Sequence, residues 1–207
     1  MTYRLGVDVG GTFTDLVLHD TQTNRLEFAK TPSTPSNQAE GVKNGVLQLI
    51  NRIYLTPESI SFFIHGTTVA TNALLERKGA KTALIVTKGF RDVLQIGRQD
   101  RPDLYDWHVR RPDPIVPRRL RFEVAERVLY TGEVIEPVSD DDLAAIIKQL
   151  KDHKVEAVAV CLIHSYAYPI HEKKVGTAIR KALPHIKTSL SSEVVPEFKE
   201  YERMSTV

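Results

Sequence analysis

Eight residues near the start of the chain could do chemistry together: Asp8-Val9-Gly10-Gly11-Thr12-Phe13-Thr14-Asp15. Alternating apolar residues on both sides of the two glycines predict a β-hairpin with Gly10-Gly11 at its turn. Glycines let backbone N–H groups approach an anion closely, and Thr12 and Thr14 add hydroxyl donors. Asp8 offers a carboxylate at the mouth of the turn, where the Mg²⁺ of a nucleotide would lie. The segment predicts a phosphate-holding hairpin, with an ordinary Gly-Gly hairpin as the alternative.

A second group of polar residues follows a predicted apolar strand and begins with His65. The start of a helix offers free N–H groups to an anion, and Gly66 permits close approach. Thr68 and Asn72, four residues apart, can present polar groups to one ligand from the same helix face. An equally weighted alternative is that Thr67 is simply an N-cap and His65 a strand-end histidine.

Nine arginines and seven acids alternate between residues 91 and 127. A nucleic-acid surface should be basic without such compensation, so the preferred interpretation is a solvated loop with salt bridges, and anion binding is the alternative. Within it, residues 97–106 are polar enough to line a substrate cleft, which makes Arg98 a substrate-binding candidate. The histidines further along the chain lack metal-ligand spacing, so no zinc site is expected.

The composition is that of an ordinary globular protein of 207 residues, 42% hydrophobic and 26% charged, with a net charge of +2. This balance favours neither nucleic acid nor an anionic membrane as partner. The single cysteine, Cys161, lies in an apolar run and is expected to be buried and inert, as in a reducing compartment. No leader is expected at the amino terminus, and no apolar run could span a bilayer. A cytoplasmic location is expected.

Three strands followed by alternating helices and strands predict an α/β fold with a mixed sheet, and residues 155–191 predict a βαβ unit. The expected organisation is a nucleotide-binding half over residues 1–120 and an α/β continuation over residues 121–207. Strands are predicted at residues 3–9, 13–19, 26–30, 60–65, 81–87, 122–130, 155–164 and 186–191, and helices at 37–52, 68–78, 91–96, 140–154 and 170–183.

The string Asp-x-Gly-Gly-Thr-x-x-Asp resembles the first phosphate motif of the ATPase superfamily of actin, sugar kinases and heat-shock chaperones. Three segments in order, residues 8–15, 65–79 and 89–99, are more specific. Together they resemble the N-terminal region of the hydantoinase A/5-oxoprolinase family. The resemblance continues through residues 101–106 and 193–206, and so covers nearly the whole chain.

This resemblance implies half of a ribonuclease-H-like or actin-like ATPase fold that uses ATP and Mg²⁺. Family members open cyclic amides such as hydantoins or 5-oxoproline, and related enzymes carboxylate ketones such as acetone or acetophenone. The shared chemistry is phosphoryl transfer to an unreactive carbonyl oxygen. A hydantoinase B-type subunit is the expected partner. Because family proteins continue into a second half with a similar turn and the adenosine pocket, the isolated chain is expected to be inactive.

The residue chemistry and the resemblance together suggest roles for individual side chains. Two functions from other classes stay open: a sugar- or acetate-kinase-like ATPase that shares only the hairpin, and a non-catalytic interaction domain. The candidates are Asp8, Thr68 and His65 for catalysis, with Asp8 also for the metal; Gly10, Gly11, Thr12, Thr14 and Asp15 for the nucleotide; and Gly66, Thr67, Asn72 and Arg98 for the substrate.

Overall fold

A computed structural model describes residues 3–100, 103, 105–109 and 112–207. Part of the segment predicted to line a cleft, Arg101, Pro102 and Leu104, lies outside these residues. The chain divides into two compact units, Met1–Lys78 and Gly79–Val207. The boundary predicted at residue 120 falls inside the second unit, because the strands on either side of it pair with each other in one sheet.

The first unit begins with three antiparallel strands joined by tight connections, which confirms the prediction for residues 3–30. The two glycines lie at the first turn, also as predicted. A helix, a fourth strand and a short helix complete the unit. Its elements are β1 (Tyr3–Val9), β2 (Phe13–Asp20), β3 (Leu26–Pro32), α1 (Gln38–Arg52), β4 (Ile60–Thr67) and α2 (Val69–Leu75).

The sheet of the first unit is mixed, with the strand order β3-β2-β1-β4 and with β4 parallel to β1. Side chains alternate between its faces, and α1 packs on one face of β1, β2 and β3. Gly45 lets this helix approach closely, since a Cβ there would lie 2.5 Å from Cδ1 of Leu16. Helix α1 thus packs against the β1–β2 hairpin on the buried face of the sheet. The buried side chains of this core are Leu5, Val7, Val9, Leu16, Leu18, Ala29 and Leu49.

The second unit is built on a four-stranded sheet with the order β10-β9-β5-β6, in which every neighbouring pair is parallel. Its β9–α5–β10 segment confirms the predicted βαβ unit. In the described part of the chain, no helix is both long enough and apolar enough to cross a membrane. The elements are β5 (Thr82–Thr87), α3 (Val93–Ile96), β6 (Arg121–Val124), β7 (Arg127–Val128), β8 (Val134–Glu136), α4 (Asp140–Asp152), β9 (Ala157–Cys161), α5 (Ile170–Ala182), β10 (Lys187–Leu190), α6 (Ser191–Val194) and α7 (Glu200–Thr206).

The predicted single strand over residues 122–130 is wrong: the chain leaves the sheet after β6, and β7 pairs with β8 in a separate hairpin. The residue responsible is Glu126, which is buried between the two strands. Its carboxylate accepts hydrogen bonds from the Thr87 hydroxyl and, at 2.7 Å, pairs with Nδ1 of His171. A buried carboxylate needs such partners, so the backbone bends to deliver it to them.

A second buried polar group lies at the carboxyl ends of β9 and β10 and is centred on Arg203 of α7, whose side chain is fully buried. Its guanidinium donates to the Leu162 carbonyl at 2.8 Å, the Glu197 carbonyl at 2.6 Å and Oγ of Ser191 at 3.1 Å, and it pairs with the Glu200 carboxylate. These bonds fasten α7 to the sheet of the second unit.

Candidate functional site

The carboxyl ends of β1 and β4 meet at one edge of the first unit's sheet. The parallel register places Asp8 beside Gly66 and Val9 beside Thr67. The chain leaves β1 into the glycine turn and leaves β4 into α2. Adjacent parallel strands end side by side, and ligands of α/β proteins bind at such ends. The structure therefore brings together the two predicted groups of polar residues, although they lie nearly sixty positions apart in sequence.

The turn itself is tight and leaves two backbone donors free. The N–H of Gly10 donates to the Phe13 carbonyl oxygen at 2.9 Å. A Cβ on Gly10 would lie 2.9 Å from that same oxygen, so a larger residue would displace the turn. Within the described residues, the N–H groups of Gly11 and Thr12 have no acceptor. Consecutive free N–H groups on a tight turn can bind an anion.

Two carboxylates lie directly opposite each other at the end of the hairpin, because the register pairs Asp8 with Asp15. Like charges opposite each other destabilise a sheet unless a cation compensates them. Lys30 on β3 compensates Asp15, with 3.1 Å between its Nζ and a carboxylate oxygen. Asp8 is exposed and has neither an ion pair nor a hydrogen bond to its carboxylate among the described residues. Its charge is available to a bound cation.

The start of α2 is fastened to the end of β1. The Thr68 N–H donates to the Val9 carbonyl at 3.2 Å, and the Thr67 hydroxyl donates to the same carbonyl at 3.3 Å. Asn72, one turn into the helix, donates from Nδ2 to Oγ1 of Thr68 at 3.3 Å. A Cβ on Gly11 would lie 3.2 Å from that Nδ2, so the amide lies against the glycine turn. Asn72 contacts the predicted phosphate turn itself.

Thr14 does not face the open side of the turn as the nucleotide assignment requires. Its side chain is fully buried, and its hydroxyl lies 3.0 Å from Oγ of Ser33. Thr14 lies on the same face of β2 as the buried Leu16, which α1 covers, because side chains alternate along a strand. Thr14 therefore supports the turn from inside. Ser33, which the sequence places in an ordinary loop after β3, is the residue that sequence reasoning missed.

Two other candidates, His65 and Arg98, make contacts within their own units. His65 precedes Gly66 on β4, so its side chain leaves the opposite face of the sheet from Gly66 and from the neighbouring Asp8. The exposed imidazole instead stacks on Phe63, with ring centroids 6.4 Å apart. Arg98 belongs to the second unit, where its Nε donates to the Glu202 carboxylate at 2.6 Å, and this bond raises the pKa of Arg98.

The Asp8 carboxylate and the free N–H groups of the turn are groups that could hold a divalent cation and a phosphate. No cluster of three or more histidine, cysteine or acidic ligands occurs in the described ranges. Mg²⁺ is commonly held by one or two carboxylates, with phosphate oxygens and waters completing its shell. Asp8, with Asp15 opposite, supplies those carboxylates beside the free N–H groups of the turn. These residues could hold Mg²⁺ and phosphate together.

Comparisons with known proteins identify relatives of this sequence. The sequence is 41% identical over 209 residues to an uncharacterized protein of Methanocaldococcus jannaschii, covering 100% of this chain and 30% of that protein. It is 37% identical over 210 residues to the caprolactamase subunit alpha of Pseudomonas jessenii, covering 99% of this chain and 30% of the subunit. The chain therefore spans less than one third of the length of these relatives.

Two solved structures share the fold. The nucleotide-free structure of an acetone carboxylase, described as acting by ATP-dependent acetone carboxylation, superposes with a TM-score of 0.86 and 27% identity, over 99% of this chain and 31% of that one. The ATP-dependent caprolactamase structure gives a TM-score of 0.84 and 35% identity, over 97% of this chain and 30% of that one. The α/β fold with its mixed sheet is thus the ATPase-like fold of these enzymes.

The hydantoinase/oxoprolinase N-terminal region matches this sequence from residue 4 to residue 183. That match includes the glycine turn, both strands that end beside it and the α2 segment. The chain belongs to the hydantoinase/oxoprolinase family, as part of its N-terminal region.

Proposed function

We propose that the complete protein containing this chain is an ATP-dependent enzyme that opens a cyclic amide. The observation that carries the proposal is the end of the β1–β2 hairpin. Two free backbone N–H groups, on Gly11 and Thr12, lie beside the uncompensated carboxylate of Asp8. Such a site suits a phosphate chain with its Mg²⁺, and the family match supplies the reaction class.

Each residue of the turn would have its own part. The Gly11 and Thr12 N–H groups would bind phosphate oxygens, and Gly10 would keep the turn tight enough for them to converge. Asp8 would hold Mg²⁺ directly or through a water molecule. Asp15, already paired with Lys30, would orient that cation's waters or support the hairpin. Thr67, Thr68 and Asn72 would present the substrate side of the site from α2.

The chemistry explains why ATP is needed. An amide carbonyl resists attack by water because its carbon is a poor electrophile. Transfer of the γ-phosphoryl group forms a bond between phosphorus and the carbonyl oxygen, and the bond to ADP breaks. The carbon bonded to the phosphorylated oxygen would then accept a first water molecule, and the ring C–N bond would break as the nitrogen takes a proton. A second water molecule would cleave the resulting acyl phosphate into a carboxylate and inorganic phosphate. The protein would contribute mainly positioning and charge stabilisation, as is usual in phosphoryl transfer.

A ketone carboxylase is the second candidate, and the superposition with acetone carboxylase favours it specifically. The same transfer to a ketone oxygen would trap an enol that can be carboxylated. Under either function we propose a partner subunit of the hydantoinase B type, because the caprolactamase relative is itself named as a subunit alpha. A cytoplasmic location is supported by the single buried cysteine.

The test is an ATP-dependent substrate screen on the complete protein purified with its partner subunit. Phosphate release would be measured with hydantoin, 5-oxoproline, caprolactam, and acetone or acetophenone with bicarbonate, and the products identified by mass spectrometry. We expect a cyclic amide to stimulate phosphate release and to be opened. Stimulation only by a ketone with bicarbonate would overturn cyclic-amide opening in favour of carboxylation. Stimulation by none of them would contradict both functions.

A further inference from the structure

Ser33 makes two hydrogen bonds to the glycine turn, one from its backbone and one from its side chain. It follows the last residue of β3, and its backbone N–H donates to the Thr12 carbonyl at 2.9 Å. Its hydroxyl donates to the Gly10 carbonyl at 2.8 Å and lies 3.0 Å from the Thr14 hydroxyl. One residue that directly follows β3 thus holds the carbonyl groups of Gly10 and Thr12, on both sides of Gly11.

The direction of these hydrogen bonds follows from the number of protons. A serine hydroxyl has one proton, and that of Ser33 is given to the Gly10 carbonyl. The Thr14 hydroxyl must therefore donate to Oγ of Ser33. Because Thr14 is fully buried, this relay from Thr14 through Ser33 to Gly10 starts in the core and ends at the turn. These two hydrogen bonds link the Gly10 carbonyl of the turn to a buried side chain of the first unit.

The consequence for the turn comes from the planarity of the peptide bond. In a trans peptide the carbonyl and the following N–H point in opposite directions. Since Ser33 holds the Gly10 carbonyl on its own side, the N–H of Gly11 points away from Ser33 and stays free. Two adjacent glycines would otherwise sample many conformations.

We propose that Ser33 is a positioning residue that keeps the Gly11 N–H directed at the phosphate group. The inference rests on the proposed nucleotide role of the turn. It assigns Thr14 an indirect part, through Ser33, in place of phosphate contact. Loss of the Ser33 hydroxyl would let the Gly10–Gly11 peptide rotate, and the site would then bind ATP less well while the chemical step, once ATP is seated, changes less.

The experiment measures steady-state kinetics of the complete protein with varied ATP, in the presence of the substrate that stimulates it. Ser33→Ala should raise the KM for ATP about three- to tenfold, the effect of one net hydrogen bond, with kcat changed less than KM. Ser33→Thr keeps the hydroxyl and should stay within about twofold of the wild type. Ser36→Ala, an exposed serine three residues later, is the matched control and should change neither value.

Thermal melts on the same samples separate positioning from folding. A KM for ATP that is unchanged in Ser33→Ala would overturn the proposal, whether or not the melting temperature falls. If Ser33→Ala does not fold, Ser33→Cys fills the same space with a weaker donor, and its KM decides in the same way. Asp8→Ala is run in parallel: if it keeps full turnover, the nucleotide role of the turn fails. If it abolishes turnover while Ser33→Ala keeps its KM, only the role of Ser33 fails.

Discussion

Replacing Arg203 by methionine should strongly destabilise the second unit. The guanidinium is fully buried and donates to the Leu162 and Glu197 carbonyls and to the Ser191 hydroxyl. Methionine fills similar space but leaves those acceptors without a donor. It also leaves Glu200 without its cation, and burial already raises the pKa of that carboxyl.

The magnitude follows from breaking a buried pair by removing one partner, which costs about 3–5 kcal/mol. Against a total stability of about 5–15 kcal/mol for a typical domain, this is a large share. Arg180→Met is the matched control. Arg180 is 47% exposed and pairs loosely with Glu193 at 3.6 Å, so its loss should cost under about 1 kcal/mol.

Cys161 provides the assay, because it is the only cysteine and lies buried on β9 of the same unit. Labelling of its thiol in native buffer reports how often the unit opens. A cost of about 3–5 kcal/mol should speed labelling of Arg203→Met by about two to nearly four orders of magnitude. Far-UV circular dichroism verifies that the variant is folded at the start. A labelling rate within about fivefold of Arg180→Met would refute the reasoning about buried charge.

Three further outcomes are expected. Burial raises the pKa of the Cys161 thiol to about 12, so at pH 8 only about one thiol in 10⁴ is ionised. Ellman's reagent should therefore label the native chain far more slowly than the denatured chain, and equal labelling rates would contradict this. Ser139→Ala removes the N-cap of α4, since Oγ of Ser139 accepts a hydrogen bond from the Asp142 N–H at 3.0 Å. Urea titration should show that the free energy of unfolding falls by about 1 kcal/mol, and an unchanged value would contradict a stabilising cap. The isolated 207-residue chain should release no phosphate from ATP at an enzymatic rate of roughly 1 s⁻¹, since phosphoryl transfer needs groups on both sides of the nucleotide; a phosphate assay that reached this rate would disprove it.

Local patterns predicted the elements that surround the site. Alternation around Gly10-Gly11 predicted the hairpin, the apolar stripe predicted α1, and Ser139 with three acids after it predicted the start of α4. These features depend on residues close in sequence, where propensity and capping decide the outcome. The βαβ arrangement of β9, α5 and β10 followed from similar short-range signals.

What could not be predicted depends on contacts between distant residues. The bond from Ser33 to the Gly10 carbonyl spans 23 positions, and nothing in the loop after β3 marks that serine as different from its neighbours. Arg203 and Glu172 are fully buried although charged residues are usually exposed. Tertiary partners make this possible, since the carboxylate of Glu172 on α5 accepts a hydrogen bond from the Leu162 N–H at 3.0 Å. The break between β6 and β7 likewise depends on His171, which lies 45 positions from Glu126.

One distinction among the candidate residues could have been drawn from the sequence. Adjacent residues on a strand point to opposite faces, so His65 and Gly66 cannot both face the turn once β4 is taken as a strand. The same parity separates Thr14 from Asp15 on β2: the acid shares a face with Asp8, and the threonine enters the core. Applied to both strands, this rule distinguishes His65 from Gly66 and Thr14 from Asp15.

The most direct test of the nucleotide site is the loss of the Asp8 carboxylate in the complete protein. Asp8 is exposed, so Asp8→Ala should leave thermal melting unchanged. If its carboxylate holds the cation during phosphoryl transfer, kcat for ATP-dependent turnover should fall by about two to four orders of magnitude. Glu27→Gln, which removes a surface carboxylate paired with Arg52, is the control and should keep full activity. An Asp8→Ala protein that turns over ATP near the wild-type rate would contradict the assignment of this hairpin to the nucleotide.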